Sequence, residues 1–289
     1  MARHKKKKKK NKRRSPGKDG KQHVPSAQTA DIHELYELAV QAPEAECDFI
    51  QQAWQEHRGN EREPRSVRED FCGTAITAIE WVKQDISHTA VGVDWDGPTL
   101  EVARKRIEDR LEPQDRERIS LVQGDVNVVE EGPVDCLLAT NFSYYIFKTR
   151  ETLRAYFEAA RSRLEPDGLL ILDAYGGSNS FAEQEEQTRH DGFTYVWEQA
   201  SYAPVTGDVV NHIHFKFKDG SRINEAFTYE WRLWTLPELR ELLLEAGFAD
   251  VKVYWEGTDP DTNEGDGEFS VTDTGDADEG WIAYVVAER

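Results

Sequence analysis

The sequence predicts an α/β protein with a mostly parallel sheet, helices on both faces of the sheet, and an antiparallel β insertion. Between residues 67 and 173, short apolar runs alternate with segments of helical period. Strands separated by helices form βαβ units, whose strands are parallel. Between residues 193 and 234 the pattern changes to strand-like runs linked by short turn signals. This change predicts an antiparallel meander inserted after the fifth strand.

Two helices are expected before the first strand. Apolar residues recur at steps of three and four between residues 31 and 58, and Pro43 divides this segment because proline disrupts a helix interior. The alternating elements follow. The predicted strands cover residues 67–70, 90–94, 119–122, 134–140 and 169–173, and the helices between them cover residues 74–83, 98–111 and 149–164.

The insertion spans about residues 176–234. Its turn signals are Gly207-Asp208 and Asp219-Gly220, and six Tyr and Trp residues make it strongly aromatic. We interpret it as a lid. The six aromatic residues are Tyr195, Trp197, Tyr202, Tyr229, Trp231 and Trp234.

The last part of the chain is predicted as a helix and two strands. Thr235 and Glu238 have the spacing of a capping box, and the helix ends at Gly247. The strands at residues 251–255 and 281–287 are expected to form an antiparallel hairpin at the sheet edge. Residues 256–280 contain ten acids and no base. We interpret this segment as a solvated loop or as an adaptation to a salty cytoplasm.

The net charge of −19 combines a basic tail with an acidic body. Residues 1–22 hold 12 Lys and Arg against one acid, whereas the other 267 residues hold 24 against 54. Residues 1–30 are therefore predicted to be a disordered basic tail and linker before a domain at residues 31–289. The alternative is weak contact of residues 3–21 with nucleic acid or a ribosome, because the acidic body repels phosphate but the tail attracts it.

Cysteine usage and hydropathy favour a cytoplasmic protein that is not bound to a membrane. No apolar run approaches the roughly 18 residues that a membrane span requires, and the Lys-rich start lacks the apolar region of a secretory signal. Cys47, Cys72 and Cys136 are far apart and have no metal-ligand spacing. Neither a disulfide framework nor a metal site is therefore expected.

Four predicted strand ends carry the candidate site. Polar or small residues follow the strands at residues 69–75, 94–96, 124–126 and 141–145. Ligands of open α/β sheets bind outside the carboxyl ends of the strands. The acid at the end of the second strand, about 20 residues beyond the first loop, is typical of a ribose contact and suggests an adenosine-type cofactor. An ordinary βα turn is the alternative for the first loop taken alone.

The order of these parts resembles the class I S-adenosylmethionine-dependent methyltransferases, over about residues 31–289. Five strands followed by a helix and two further strands match that family's seven-stranded Rossmann-like sheet. The resemblance implies S-adenosyl-L-methionine as the cofactor. The family's acidic-x-Gly-x-Gly-x-Gly loop falls on residues 69–75, where only Gly73 is a glycine. Phe71 and Ala75 replace the other two, so we expect the loop to follow a different path around the cofactor.

The resemblance assigns cofactor contacts to several residues. Asp94 matches the acid that accepts from the ribose hydroxyls, and Asp125 matches the acid that accepts from the adenine amino group. Each of these two has helix capping as its alternative role. The remaining predicted contacts are Arg68 with the cofactor carboxylate, Glu69, Phe71, Cys72, Gly73 and Thr74 within the loop, Trp95 against the adenine, Val126 through its backbone N–H, and Asn141. Packing in the core is the alternative for Trp95, and for Cys72 it is the preferred interpretation.

Asn141, Tyr144 and Tyr145 are the predicted catalytic residues. They belong to Asn-Phe-Ser-Tyr-Tyr, at the position of the Asn-Pro-Pro-Tyr of some amino-methylating members, but both prolines are absent. Orientation of an amine is one interpretation, and aromatic packing under the lid is the other. In-line methyl transfer gains its rate from alignment and desolvation, so no dedicated base is required. His212 and His214 are interpreted first as lid residues and second as substrate contacts.

The sequence thus favours an S-adenosylmethionine-dependent methyltransferase that acts on a small-molecule acceptor. One alternative is methylation of RNA or a ribosomal protein, with recruitment by the basic tail. Another is a non-catalytic binding protein that keeps the fold, which the altered glycine loop permits. A nicotinamide dehydrogenase is disfavoured because the chain lacks Gly-x-Gly-x-x-Gly.

Overall fold

The computed structural model describes residues 26–259 and 265–289 and contains two sheets. The larger sheet has eight strands in the order β11-β10-β12-β5-β4-β1-β2-β3. Its strands are β1 (Ser66–Asp70), β2 (Thr89–Asp94), β3 (Ile119–Gln123), β4 (Val134–Ala139), β5 (Leu164–Gly176), β10 (Asp250–Thr258), β11 (Gly265–Thr272) and β12 (Trp281–Glu288).

The central part of the sheet is parallel, as predicted. Strands β1 to β5 pair in parallel, and β12 is antiparallel to both β5 and β10. The chain crosses from β3 to β4 on the other side of β1, which makes the ends of β1 and β4 the switch point of the strand order. A crevice opens at such a point in α/β sheets.

Seven α-helices accompany the strands within residues 26–259 and 265–289. Asp31 caps α1, Pro43 begins α2 as predicted, and Asp96, Thr149 and Thr235 cap α4, α6 and α7. The helices are α1 (Ile32–Val40), α2 (Pro43–Arg58), α3 (Ile76–Gln84), α4 (Gly97–Arg110), the single turn α5 (Pro113–Arg116), α6 (Arg150–Ser162) and α7 (Leu236–Glu245). Two hydrophobic clusters cover the sheet, one including α2, α3 and α4 and the other α6 and α7.

The insertion forms a separate antiparallel sheet of four strands, β6 (Gln184–Arg189), β7 (Phe193–Tyr202), β8 (Asp208–Phe217) and β9 (Arg222–Arg232). The meander of three strands is confirmed, but β6 was not predicted, because its run of Gln and Glu has no apolar alternation. A third cluster joins Leu35 of α1 to Phe193, Ile213 and Phe215 of this sheet. Helix α1 therefore belongs to the insertion's core.

The end of the chain differs from the prediction in two ways. Strand β12 lies between β5 and β10 instead of at the edge, and the acidic segment at residues 256–280 supplies the edge strand β11. Its pairing residues include Phe269, which packs against Phe49 and Tyr284. The predicted basic tail lies almost wholly outside the described residues. Within residues 26–259 and 265–289, no helix is long and apolar enough to cross a membrane.

Candidate functional site

The loop after β1 has the backbone conformation of a glycine loop, although two of its three expected glycines are absent. Phe71, Gly73 and Ala75 all have positive φ, at 61°, 53° and 56°. Phe71 and Ala75 therefore take the left-handed conformation that glycine favours, and a different path of the loop around the cofactor stays a prediction. A left-handed conformation costs roughly 1–2 kcal/mol per non-glycine residue, so surrounding contacts must hold Phe71 and Ala75. The Phe71 ring packs near Phe147 and Tyr156, and Ala75 is fully buried.

Asp94 joins this loop to the end of β2. One carboxylate oxygen accepts the Gly73 backbone N–H at 2.9 Å, and the other accepts the Asp96 N–H at 2.9 Å. Because a carboxylate has about four acceptor positions, two of them stay available beside the loop. Asp96 is the residue that caps α4. Asp94 itself therefore organises the loop and faces a pocket, and the capping alternative does not apply to it.

A pocket of about 270 Å³ opens where these strand ends meet, and we call it the strand-end pocket. It is lined by His33, Tyr36, Gln41, Phe71, Cys72, Gly73, Thr74, Asp94, Thr99, Asn141, Ser143, Ile146, Phe227, Tyr229 and Trp231. A Cβ atom built on Gly73 would meet no protein atom within 4 Å. The backbone of the loop is therefore open to a ligand at Gly73.

Arg68 lies in the core beneath the loop and does not line the pocket. Its Nε donates to Asp70 at 2.7 Å, and its other nitrogens donate to the backbone carbonyls of Val126, Val129 and Glu131. Its side chain is fully buried. The predicted pairing with a cofactor carboxylate is therefore wrong, because every guanidinium nitrogen is already hydrogen-bonded inside the protein.

Glu69 and Cys72 are also buried. The Glu69 carboxylate accepts from the Ala78 N–H in α3 at 3.2 Å and does not line the pocket. Burial raises the pKa of Glu69 well above its usual range. Cys72 lines the pocket but is 1% exposed, and burial raises the pKa of its thiol, which fits the packing role.

The predicted adenine contacts lie outside the lining of the strand-end pocket. Trp95 is 79% exposed, so it is neither a core residue nor part of the pocket wall. Asp125 is exposed at the end of β3, where it accepts from the N–H and side-chain amide of Asn127. Val126 is buried. Strand β3 adjoins β2, so Asp125 lies at the same sheet edge as Asp94.

A second tight loop follows β4 and is held by Asp173. The backbone N–H groups of Asn141 and Phe142 donate to the two Asp173 carboxylate oxygens at 2.7 and 2.9 Å, and both donors have φ of 56°. Burial raises the pKa of Asp173 to about 7, although the two N–H donors oppose that shift. Asp173 was predicted only as the end of a strand.

Tyr144 and Tyr145 are core residues and line neither cavity. Both are fully buried, and their hydroxyls donate to the backbone oxygens of Asp173 and Trp234 at 2.8 and 3.4 Å. The prediction that they face the acceptor is therefore wrong, and the packing alternative is correct. The left-handed turn at Asn141 and Phe142 leads into the 3₁₀ turn Ser143–Ile146 that carries both rings.

A larger cavity of about 700 Å³ lies under the insertion sheet, and we call it the insertion cavity. It shares Tyr36, Asn141, Tyr229 and Trp231 with the strand-end pocket, so the two spaces adjoin. The predicted lid residues Tyr195, Trp197, Tyr229 and Trp231 line it, which confirms that the meander covers this edge of the sheet. Its other lining residues include Glu46, Phe142, Asp173, Tyr175, Ser180, Glu186, Gln199, Glu256, Phe269, Trp281 and Tyr284.

His212 and His214 support the insertion sheet and line neither cavity. His214 Nδ1 accepts from the Glu225 N–H at 2.8 Å, and Nε2 lies 2.8 Å from Glu198. His212 lies 2.9 Å from the Thr228 hydroxyl. These contacts match the lid interpretation. Across residues 26–259 and 265–289, no group of three or more His, Cys, Asp or Glu is arranged to hold a metal.

Sequence reasoning missed the cavity walls that are contributed by segments far from the predicted loops along the chain. Tyr36 lies on α1, Glu46 on α2 and Trp281 on β12, and none of them belongs to a recognisable motif. The packing of α1 on β9, through Tyr36 and Phe227 with ring centroids 5.1 Å apart, is a tertiary contact that local patterns do not encode. Among the wall residues that were missed, only Asp173 could have been found from the sequence, because it lies at the end of a predicted strand.

Comparison with known proteins shows the fold. No family profile and no curated protein sequence matches the chain. An S-adenosylmethionine-dependent methyltransferase from Clostridium acetobutylicum ATCC 824 is 18% identical, with a TM-score of 0.61 over 88% of this chain and 96% of that one. CalS10, an amino pentose methyltransferase from Micromonospora echinaspora solved with its cofactor bound, is 15% identical, with a TM-score of 0.61 over 90% and 97%.

The sugar N-methyltransferase KedS8 from Streptoalloteichus sp ATCC 53650 is 14% identical, with a TM-score of 0.59 over 96% of this chain and 99% of that one. The chain therefore has the fold of the class I S-adenosylmethionine-dependent methyltransferases along nearly its whole length, as the order of its elements predicted.

Proposed function

We propose that this protein is an S-adenosylmethionine-dependent methyltransferase that acts on a small-molecule acceptor. The observation that carries the proposal is the pair of adjoining cavities at the switch point of the sheet, which meet at Asn141, Tyr229 and Trp231. One cavity is lined by the positive-φ loop after β1 and by Asp94, and the insertion sheet covers the other. Solved proteins of this fold include methyltransferases of an amino pentose and of a sugar nitrogen.

The strand-end pocket fits the cofactor. Asp94 has free acceptor positions for the ribose hydroxyls, and the open backbone at Gly73 admits a close ligand. No Lys or Arg is among the described residues that line this pocket, which suits a sulfonium cation. When bound, S-adenosyl-L-methionine supplies a methyl group activated for in-line displacement. Asp125 and Val126 remain proposed contacts of the adenine at the neighbouring strand end.

The protein's own contribution is alignment and exclusion of water. Asp173 fixes the Asn141 backbone through hydrogen bonds, so the side chain at the junction of the two cavities has a defined position. Tyr229 and Trp231 stack with ring centroids 4.4 Å apart over the same junction. Rigid walls of this kind hold two reactants in line and reduce the water around them.

Calorimetric titration with S-adenosylhomocysteine and with NAD tests the proposal. Binding of S-adenosylhomocysteine, together with no binding of NAD, is the expected result. The control is Asp109→Ala on the exposed face of α4, which should bind as the wild type does. Binding of NAD alone, or of neither compound, would refute the proposed function.

The three free, buried cysteines are compatible with a reducing cytoplasm as the site of action.

A further inference from the structure

The insertion cavity has a one-sided charge. Four carboxyl side chains line it, from Glu46, Asp173, Glu186 and Glu256, and its lining includes no Lys, Arg or His of the described residues. None of the four forms an ion pair within residues 26–259 and 265–289, whereas many carboxylates elsewhere in the protein do. Only Asp173 of the four is buried, whereas Glu46 and Glu256 are half-buried and Glu186 is exposed, so the cavity presents a negatively charged surface with no cation among its described lining residues.

Three of these carboxyl groups lie near enough to Tyr284, another lining residue, to affect its pKa. The pKa of Tyr284 is raised by burial first and then by the negative charges of Glu46, Asp173 and Glu256. Glu46 also contributes to the raised pKa of Asp173. Like charges that raise one another's pKa disfavour the ionised forms, and a positively charged ligand would relieve this repulsion.

The wall also contains a polar group without a partner. The Tyr175 hydroxyl is buried and makes no hydrogen bond within the described part of the chain. Asn211 does not line the cavity, but it is fully buried and near enough to Tyr175 to offset part of the rise in the pKa of that hydroxyl. Buried polar groups are nearly always satisfied in proteins, so the Tyr175 hydroxyl is available to a polar ligand in the cavity.

Aromatic rings form much of the remaining wall. Trp197, Tyr229 and Trp231 stack in sequence from the insertion sheet, with successive centroid distances of 6.3 and 4.4 Å. Trp281 closes the side formed by β12. Aromatic faces attract cations, and Trp is the strongest of them. Acidic and aromatic walls together select a cation over a neutral or anionic molecule of the same shape.

We propose that the methyl acceptor is a cationic amine, bound in the insertion cavity, and that Asp173 receives its proton. This inference rests on the proposed function. The ammonium nitrogen transfers one proton to the Asp173 carboxylate and so regains its lone pair. The nitrogen then forms a bond to the methyl carbon as the carbon–sulfur bond breaks, with that electron pair left on sulfur. The methylated ammonium product carries the positive charge, and Asp173 later releases its proton to water.

Asp173 is suited to this role by position. Its carboxyl group lines the insertion cavity and holds the loop of Asn141, which lines both cavities. A carboxyl group with a pKa near 7 also exchanges protons readily at neutral pH. The role is that of a catalytic residue, because the carboxylate would contact the reacting nitrogen.

Binding of three probes of matched size tests the charge preference: benzylamine, benzyl alcohol and benzoate, each titrated by NMR up to 50 mM at pH 8 with saturating S-adenosylhomocysteine. Benzylamine is expected to bind roughly tenfold or more tightly than benzyl alcohol, because charge-assisted hydrogen bonds and cation–π contacts exceed their neutral counterparts. Benzoate should not bind. Equal or tighter binding of the alcohol or benzoate, or no binding of benzylamine, would overturn the inference.

Three variants test whether the carboxyl groups of the insertion cavity bind the amine. Asp173→Asn, Glu46→Gln and Glu186→Gln should each weaken benzylamine binding severalfold, and the two Glu variants should leave the affinity for S-adenosylhomocysteine unchanged. Glu46 and Glu186 are included because Asp173 also holds a loop and its replacement can disturb folding. The matched control is Glu185→Gln, since Glu185 neighbours Glu186 but contacts Lys216 outside the cavity. Unchanged benzylamine binding in both Glu variants, or an equal loss in Glu185→Gln, would contradict the assignment.

The two proposals fail separately. If S-adenosylhomocysteine does not bind the wild type, the proposed function fails. If it binds and benzylamine shows no preference, the methyltransferase assignment stands and only the amine acceptor is refuted.

Discussion

The strand-end pocket and the insertion cavity adjoin but are built in different ways. The first is made mainly by backbone: three residues with positive φ and one carboxylate that holds two N–H groups. The second is made by side chains from α1, α2, β5, β12 and the insertion sheet. Backbone geometry tolerates changes of sequence, as Phe71 and Ala75 in glycine positions show. Side-chain walls change with each substitution, so the second cavity is where specificity would be determined.

The largest expected effect is loss of cofactor binding in Asp94→Ala. This variant removes the acceptor for Gly73, the acceptor for Asp96 and the proposed ribose contact. Such charged hydrogen bonds contribute about 1.5–3 kcal/mol, so affinity for S-adenosylhomocysteine should fall about 10- to 150-fold. Calorimetry measures the change. Unaltered affinity would mean that the pocket is not built around Asp94.

Gly73→Ala separates the effect of backbone strain on stability from the effect of an added side chain on ligand binding. At φ of 53° an added Cβ costs roughly 1–2 kcal/mol of stability, and it meets no protein atom within 4 Å. Gly220→Ala is the matched control, because Gly220 also has positive φ and open surroundings but lies in the turn between β8 and β9. Both variants should lose similar stability in urea unfolding, whereas only Gly73→Ala should lose affinity for S-adenosylhomocysteine. Equal affinities would show that the ligand does not approach the loop at Gly73.

Asp173→Asn tests the side-chain cavity through the pH dependence of stability. The folded pKa near 7 lies above the ordinary aspartate value of 3.8, so folding takes up a proton at pH values between the two. The wild type should therefore lose stability relative to the variant as pH rises from about 4 to 7. The charged or titratable groups that face Asp173 are Glu46, Tyr36, Tyr144, Tyr145 and Tyr284.

The difference in free energy of unfolding between wild type and Asp173→Asn, measured in urea from pH 4 to pH 8, checks this expectation. The variant also leaves one loop N–H without an acceptor, which lowers its stability by about 1–3 kcal/mol at all pH values. A difference that is constant with pH would show that Asp173 titrates normally.

Removal of residues 1–25 should have the smallest effect. These residues carry the dense positive charge and few apolar side chains, which predicts no contribution to the core. The deletion must stop before Ala27, whose N–H donates to Ser221 at 3.0 Å. The melting temperature and the affinity for S-adenosylhomocysteine should stay unchanged. A loss of RNA binding or of ribosome association in the truncated protein would instead favour recruitment by the tail.

The sequence predicted the backbone-built region better than the side-chain-built one. Asp94 was found because its distance from the first loop follows from one βα unit. The positive φ of Phe71 was not predicted, because sequence rules treat left-handed residues as glycines, whereas packing against Phe147 and Tyr156 holds this one. Arg68 was misplaced because a strand residue's partners lie in other strands and loops.

The insertion cavity was predicted only in outline. The aromatic strands indicated a lid, but its partner α1 precedes the sheet by many residues and its contacts depend on tertiary packing. Tyr144 and Tyr145 were predicted to face the acceptor because they follow Asn141 at the position of the Asn-Pro-Pro-Tyr of some amino-methylating methyltransferases. The two residues before them adopt left-handed conformations, and both tyrosines enter the core.

A crystal structure with S-adenosylhomocysteine tests the central claim most directly. The account predicts the ribose hydroxyls on Asp94, the homocysteine chain along residues 71–74, and the sulfur atom directed past Asn141 into the insertion cavity. A ligand bound elsewhere, or one whose sulfur faces away from Asn141 and the insertion cavity, would contradict the division into a donor pocket and an acceptor cavity.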